Sequence, residues 1–191
     1  MPFANDIHFV QAKPTNTLET RIQTKFTIAT DDGIRIIKTL SSNLATEKFS
    51  ALLDEAALTE YIQNNYSDQQ LINGMNALGN QWLVVYKDGE PAGYCRITDK
   101  GTKPAELAGK RTARIADFGI LKNFRGDDDV RKSLLDKCIN ISRNLDAIWI
   151  HEYADNPDLS FFESNQFGKI NTEGPPFELP LPSVWLIRMN V

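Results

Sequence analysis

The chain has 191 residues, of which 24% are charged, and a formal net charge of −4, with a sequence pI near 5.2. That length suits one domain around a single core, and an acidic balance with scattered lysines and arginines offers no basic field for nucleic-acid phosphates. No apolar run approaches the ~20 residues that cross a bilayer, and the start, MPFANDIHFVQAKP, lacks both a basic first region and a long apolar stretch, so a soluble cytoplasmic protein is expected.

In chain order, residues 1–22 read as an N-terminal arm or an extra edge strand around Ile7 to Val10, and residues 23–191 as the domain proper. Phe26 to Ala29 reads as a strand, Thr30-Asp31-Asp32 as an N-cap, and Ile34, Ile37 and Leu40 recur at helical spacing. Residues 55–76 read as two short helices broken near Tyr66-Ser67-Asp68. Trp82 to Tyr86 and Ala92 to Ile97 flank Asp88-Gly89, a hairpin signal because Asp-Gly suits the positive φ of a tight turn. After a polar loop comes a long strand from Arg111 to Leu121, the turn Lys122 to Gly126, and an amphipathic helix from about Asp129 to Asn144. Ala147 to Ile150 is apolar throughout, as in a strand buried on both faces. Asn156-Pro157-Asp158 opens a further helix to Asn165, and Val184 to Met189 is the closing strand.

Cys95 and Cys138 fall in a strand and a helix and read as reduced, buried thiols. His8 and His151 are far apart, and no Cys/His cluster has metal spacing, so no metal site is expected. G-x-S-x-G, G-x-x-x-x-G-K-[ST] and G-x-G-x-x-G are all missing from the sequence. The strand-turn-helix from Arg111 to Leu135 is therefore the informative segment. A strand ending in such a turn and opening into a helix N-terminus suits an anion, yet this one carries Asp127, Asp128 and Asp129.

The order of elements, with Ile120-Leu121-Lys122-Asn123-Phe124-Arg125-Gly126, Ile148 to Asn156 and Phe161-Phe162-Glu163-Ser164-Asn165-Gln166-Phe167, resembles the GCN5-related N-acetyltransferase (GNAT) superfamily. Tyr61-Ile62, Tyr66-Ser67 and Leu71 are similar to a run in its polyamine-type bacterial members, and its ribosomal-alanine-type members share the general pattern. The resemblance covers roughly residues 25–191. It implies a mixed α/β fold whose central, mostly antiparallel sheet is splayed between its fourth and fifth strands. It also implies acetyl-CoA as co-substrate and direct transfer of the acetyl group to an amine on a small molecule or a peptide.

On that resemblance, Ile120, Leu121, Arg125, Gly126, Asp127, Asp128, Asp129, Val130, Arg131, Lys132, Asn156, Phe161 and Phe162 stand at the positions expected to meet acetyl-CoA. Asp117, His151 and Glu152 are the candidates for removing the amine's proton, and Tyr153 can supply a hydroxyl. Two departures bear on activity. Where the family has two glycines after Arg-Gly, Asp128 or Asp129 and then Val130 or Arg131 stand, with one residue more than the usual spacing, and like charges ~4 Å apart repel by about 1 kcal/mol in water; alternatively the aspartates cap their own helix. Phe162 stands where the family has a tyrosine and cannot protonate the departing thiolate. The competing reading is a GNAT-fold module of impaired catalysis that binds another ligand or a protein. A homodimer is also allowed, one sheet being completed through Val184 to Met189.

Overall fold

The computed structural model describes residues 20–170, 179 and 181–190. The proposed arm around Ile7 to Val10 lies outside them. Among the described residues twelve α-helices and β-strands follow one another: β1 (Ile22–Thr27), α1 (Asp31–Phe49), α2 (Glu55–Tyr66), α3 (Asp68–Asn76), β2 (Asn80–Lys87), β3 (Glu90–Thr98), β4 (Thr112–Ile120), α4 (Asp128–Ile141), β5 (Ala147–Tyr153), α5 (Leu159–Ser164), β6 (Gly168–Ile170) and β7 (Ser183–Met189). The strands form a seven-stranded sheet in the order β1-β2-β3-β4-β5-β7-β6. All neighbours run antiparallel except β4 and β5, which are parallel.

Local chemistry sets the element ends. Thr30 Oγ1 accepts from Gly33 N at 3.1 Å to start α1, and Asp54 accepts from Ala57 N at 2.8 Å to start α2. Asp88 and Gly89 turn with φ of 52° and 90°, closing the β2–β3 hairpin as the sequence predicts. Period-two alternation then builds core on both faces of the sheet. Leu83, Val85, Cys95 and Ile97 pack with Val130, Leu134, Leu135 and Cys138 of α4. Trp82, Val84 and Tyr94 meet Ile37 and Leu40 of α1 and Leu71 of α3.

β4 and β5 are bonded only over Thr112–Ile115 and Ala147–Ile150, although β4 continues to Ile120 and β5 to Tyr153. The two strands splay beyond Ile115, as the resemblance implies. β4 also carries a bulge. Arg96 pairs with Asp117 but Ile97 with Ile115, leaving Ala116 as the extra residue. Ala113 and Ile115 point into the α4-side core; without the bulge Asp117 would follow them, and with it Asp117 turns toward the α1 side.

The dimer reading through Val184 to Met189 is corrected by the sheet. β7 bonds β5 along its whole length and β6 at Trp185–Ile187, so the middle of β7 has no open edge for a second chain. No helix among the described residues is long and apolar enough to cross a membrane.

Candidate active site

Two cavities open at the splay. The larger, about 430 Å³, lies between the sheet and α1, α2 and α3, and its walls include Tyr66, Trp82, Tyr94, Arg96, Asp117 and Glu152. The smaller, about 190 Å³, includes Glu47, Arg125, Asn156 and Asp158. Leu44, Lys48, Phe49, Phe118 and Tyr153 belong to both walls, so the two cavities share a wall at the gap left by β4 and β5.

Of the candidates for proton removal, Asp117 and Glu152 face the larger cavity. Arg96 Nε donates to Asp117 Oδ2 at 2.7 Å. Lys48 Nζ donates to Glu152 Oε1 at 2.6 Å, an oxygen that also accepts from Tyr153 N at 2.7 Å. Tyr153 is buried, stands edge-on to Phe49, and its hydroxyl accepts from Leu179 N at 3.3 Å. Burial pushes the phenols of Tyr66 and Tyr94 well above the ordinary tyrosine range, so both stay neutral.

His151 lines neither cavity. Its ring stacks on Trp185 with centroids 4.2 Å apart, and its Nε2 is 2.9 Å from Ser183 Oγ. Burial first, then the Arg114 charge, hold its pKa at about 4, so the imidazole is neutral near pH 7.

On the loop after β4 the anion-binding groups have partners of their own. Glu47 from α1 accepts from Lys122 N at 3.0 and 3.1 Å, and Arg125 Nη2 is 3.3 Å from the same carboxylate and 3.4 Å from Ile120 O. Asp127 caps α4 by accepting from Asp129 N at 3.1 Å. It also accepts from Lys87 Nζ at 2.6 Å, a contact that, with the backbone donors, holds its carboxyl below the usual range. Asp128 and Asp129 are exposed, with Gly126. Arg131 bonds Asp128, lies 3.7 Å from Asp158, and covers the Phe161 ring. Lys132 is paired with Asp136 on the outer face of α4. Of the buried guanidinium Nε–H groups without an acceptor among the described residues, those of Arg125 and Arg131 lie at this loop and the helix after it.

The remaining candidates support the site from behind. Ile120 and Val130 are fully buried core, and Leu121 packs toward α1 and α3 while its N–H donates to Ala92 O at 2.9 Å. Asn156 Oδ1 accepts from Asp158 N at 2.8 Å, which closes the turn before α5. Buried Asp158 has its carboxyl pushed up by burial, against the pull of Arg125 and Arg131. Phe162 is 1% exposed and meets Phe118 edge-on at 5.0 Å, so it backs the ring that lines both cavities. Glu47, Lys48 and Phe118 are site residues that sequence reasoning missed. Among the described residues there is no cluster of His, Cys, Asp and Glu suited to a metal.

No protein-family model matches the chain. Solved structures of the same fold are numerous. The PaiA N-acetyltransferase of Thermoplasma acidophilum, in complex with coenzyme A, superposes with a TM-score of 0.70 at 13% identity, covering 88% of this chain and 99% of that one. A GNAT-family acetyltransferase of Staphylococcus aureus gives 0.59 at 16% identity over 90% and 100%. An acetyltransferase of Thermus thermophilus gives 0.60 at 15% over 87% and 96%. At these identities the likeness establishes the fold.

Proposed function

We propose that the protein transfers an acetyl group from acetyl-CoA directly to an amine of a small molecule or peptide. The smaller cavity takes the pantetheine arm and the larger one the acceptor. The observation that carries this reading is the wall that the two cavities share at the splay, at Lys48, Phe118 and Tyr153. Direct transfer needs donor and acceptor side by side, and two neighbouring cavities suit it. The splayed part of β4 offers backbone groups to the amide-rich arm. The unmatched Nε–H groups of Arg125 and Arg131 fit phosphate oxygens. On the acceptor side, the buried Trp82 Nε1–H has no partner among the described residues, which suits a polar ligand. Glu152 and Asp117 are the carboxylates placed to take the amine's proton.

One observation favours a second reading, a ligand-binding module of impaired catalysis. The loop that would receive the pyrophosphate already carries Glu47 on Lys122 N and Arg125, with Asp127 over the first turn of α4. Calorimetric titration with acetyl-CoA separates the two. Binding is expected, and Glu47→Gln, which frees Arg125 and removes one negative charge, is expected to tighten it several-fold. No heat and no thermal stabilisation at millimolar acetyl-CoA would reject the transferase reading.

A further inference from the structure

A proton must reach the departing sulfur, and Phe162, packed against Phe118 and Phe167, has none to give. Among the residues common to both cavities, only Lys48 and Tyr153 carry an ionisable proton. The Tyr153 hydroxyl accepts from Leu179 N and keeps its own proton, so it is the alternative that the variants below separate from Lys48. The Lys48 side chain is 32% exposed. Its ammonium stands 5.0 Å from the Tyr153 ring centroid and 5.4 Å from that of Phe49, and it is bonded to Glu152. Glu152 lines only the larger cavity and Lys48 lines both. The pair therefore runs from the acceptor side to the wall that the two cavities share.

We propose that Lys48 and Glu152 form a two-residue relay in which Glu152 takes the protons of the attacking nitrogen and Lys48 holds the departing sulfur as a thiolate until one of them reaches it. The proposal rests on the acetyl-transfer reading above. The acceptor arrives as an ammonium, and Glu152 removes one proton, which passes to solvent through the open cavity. The freed lone pair forms the N–C bond at the thioester carbonyl. The C–S bond breaks with its electron pair going to sulfur. The nitrogen's second proton goes to the Glu152 carboxylate and from there to the sulfur, which the Lys48 ammonium holds as a thiolate until that proton arrives. The sum is one amide, one thiol and one released proton, with no oxidant or further reactant. A cation beside sulfur also stabilises the negative charge that develops there.

The deciding measurement is the thiol titration of coenzyme A bound to the protein, followed by thiolate absorbance, with desulfo-coenzyme A as the ligand that has no thiol. Bound thiol is expected to ionise about one pH unit or more below the free ligand, as thiols do beside a lysine. Lys48→Met should abolish the shift, and Lys48→Arg should keep it because the charge remains. Glu152→Gln should lower the thiol pKa further, since the carboxylate no longer competes for the ammonium. Binding of desulfo-coenzyme A by each variant, at whatever affinity, reports that the variant is folded. An unshifted thiol in the wild type, a shift that survives Lys48→Met, or one lost in Tyr153→Phe instead would overturn the relay and leave acetyl transfer standing. Failure of the wild type to bind either ligand would overturn both.

Discussion

His151 carries its own pH dependence. Its neutral form is favoured in the folded chain, with a pKa held at about 4, whereas an unfolded histidine titrates near 6.5. A depressed folded value means that the contribution is complete above about pH 6.5 and is lost as the pH falls toward 4. Allowing for solvent screening, it amounts to roughly 1–3 kcal/mol. Chemical denaturation between pH 7 and 4 is expected to show this decline, and His151→Phe, which keeps the stack on Trp185, should flatten it. An unchanged slope would mean that other groups carry the acid sensitivity. As a residue type His151 was readable as a titrating group at a strand end; that it faces Trp185 and lines neither cavity depends on contacts outside its own segment. Lys48 and Glu47 were illegible for a related reason, since their partners Glu152 and Arg125 lie 104 and 78 residues away.

Elements were legible where their signals are local. The hairpin turn, the break between α2 and α3 at Ser67, and a capping role within the aspartate run follow from residue chemistry within a few positions. The bulge in β4 has no such signal, because the extra residue is defined only against β3. Close approach of β3 to β4 is equally invisible in the sequence. A Cβ on Gly93 would stand 2.3 Å from Gly119 O, a backbone atom that cannot swing aside. Gly93→Ala is therefore expected to destabilise by about 1–3 kcal/mol through overpacking, read from the urea midpoint. A neutral effect would show that the strands can separate without loss.

At the scale of the whole molecule, the sheet is covered on both faces, by α4 on one and by α1 and α3 on the other. Cys95 on β3 and Cys138 on α4 meet across the first of these interfaces, both fully buried and with sulfurs 3.3 Å apart. Burial raises the Cys95 thiol pKa well above its ordinary value, so neither access nor ionisation favours reaction in the folded chain. Labelling by a thiol reagent is expected to follow global opening, with a rate that rises with urea in parallel with unfolding. Fast labelling in native buffer would mean that α4 detaches locally.

Taken alone, the sequence determined the mixed α/β class, the order of the elements and the strand-turn-helix around Arg125-Gly126, since period-two and helical patterns, caps and turn residues act over short distances. It also offered a cap within Asp127 to Asp129, because a cap needs only the amides that follow it, and the structure gives that role to Asp127. The tertiary structure decided which charges meet. The Ala116 bulge reverses the alternation of β4 and carries Asp117 out of the α4-side core to Arg96 and the larger cavity. The packing of α1 over the splay brings Lys48 to Glu152 and sets the two cavities side by side. It also falls to the fold that Glu47 neutralises Arg125, because α1 must pack over the end of β4 before those charges are within reach. Hydrophobic periodicity says which face is buried, but the side chains that come together inside a cleft are set by strand register and helix packing, which no local pattern records.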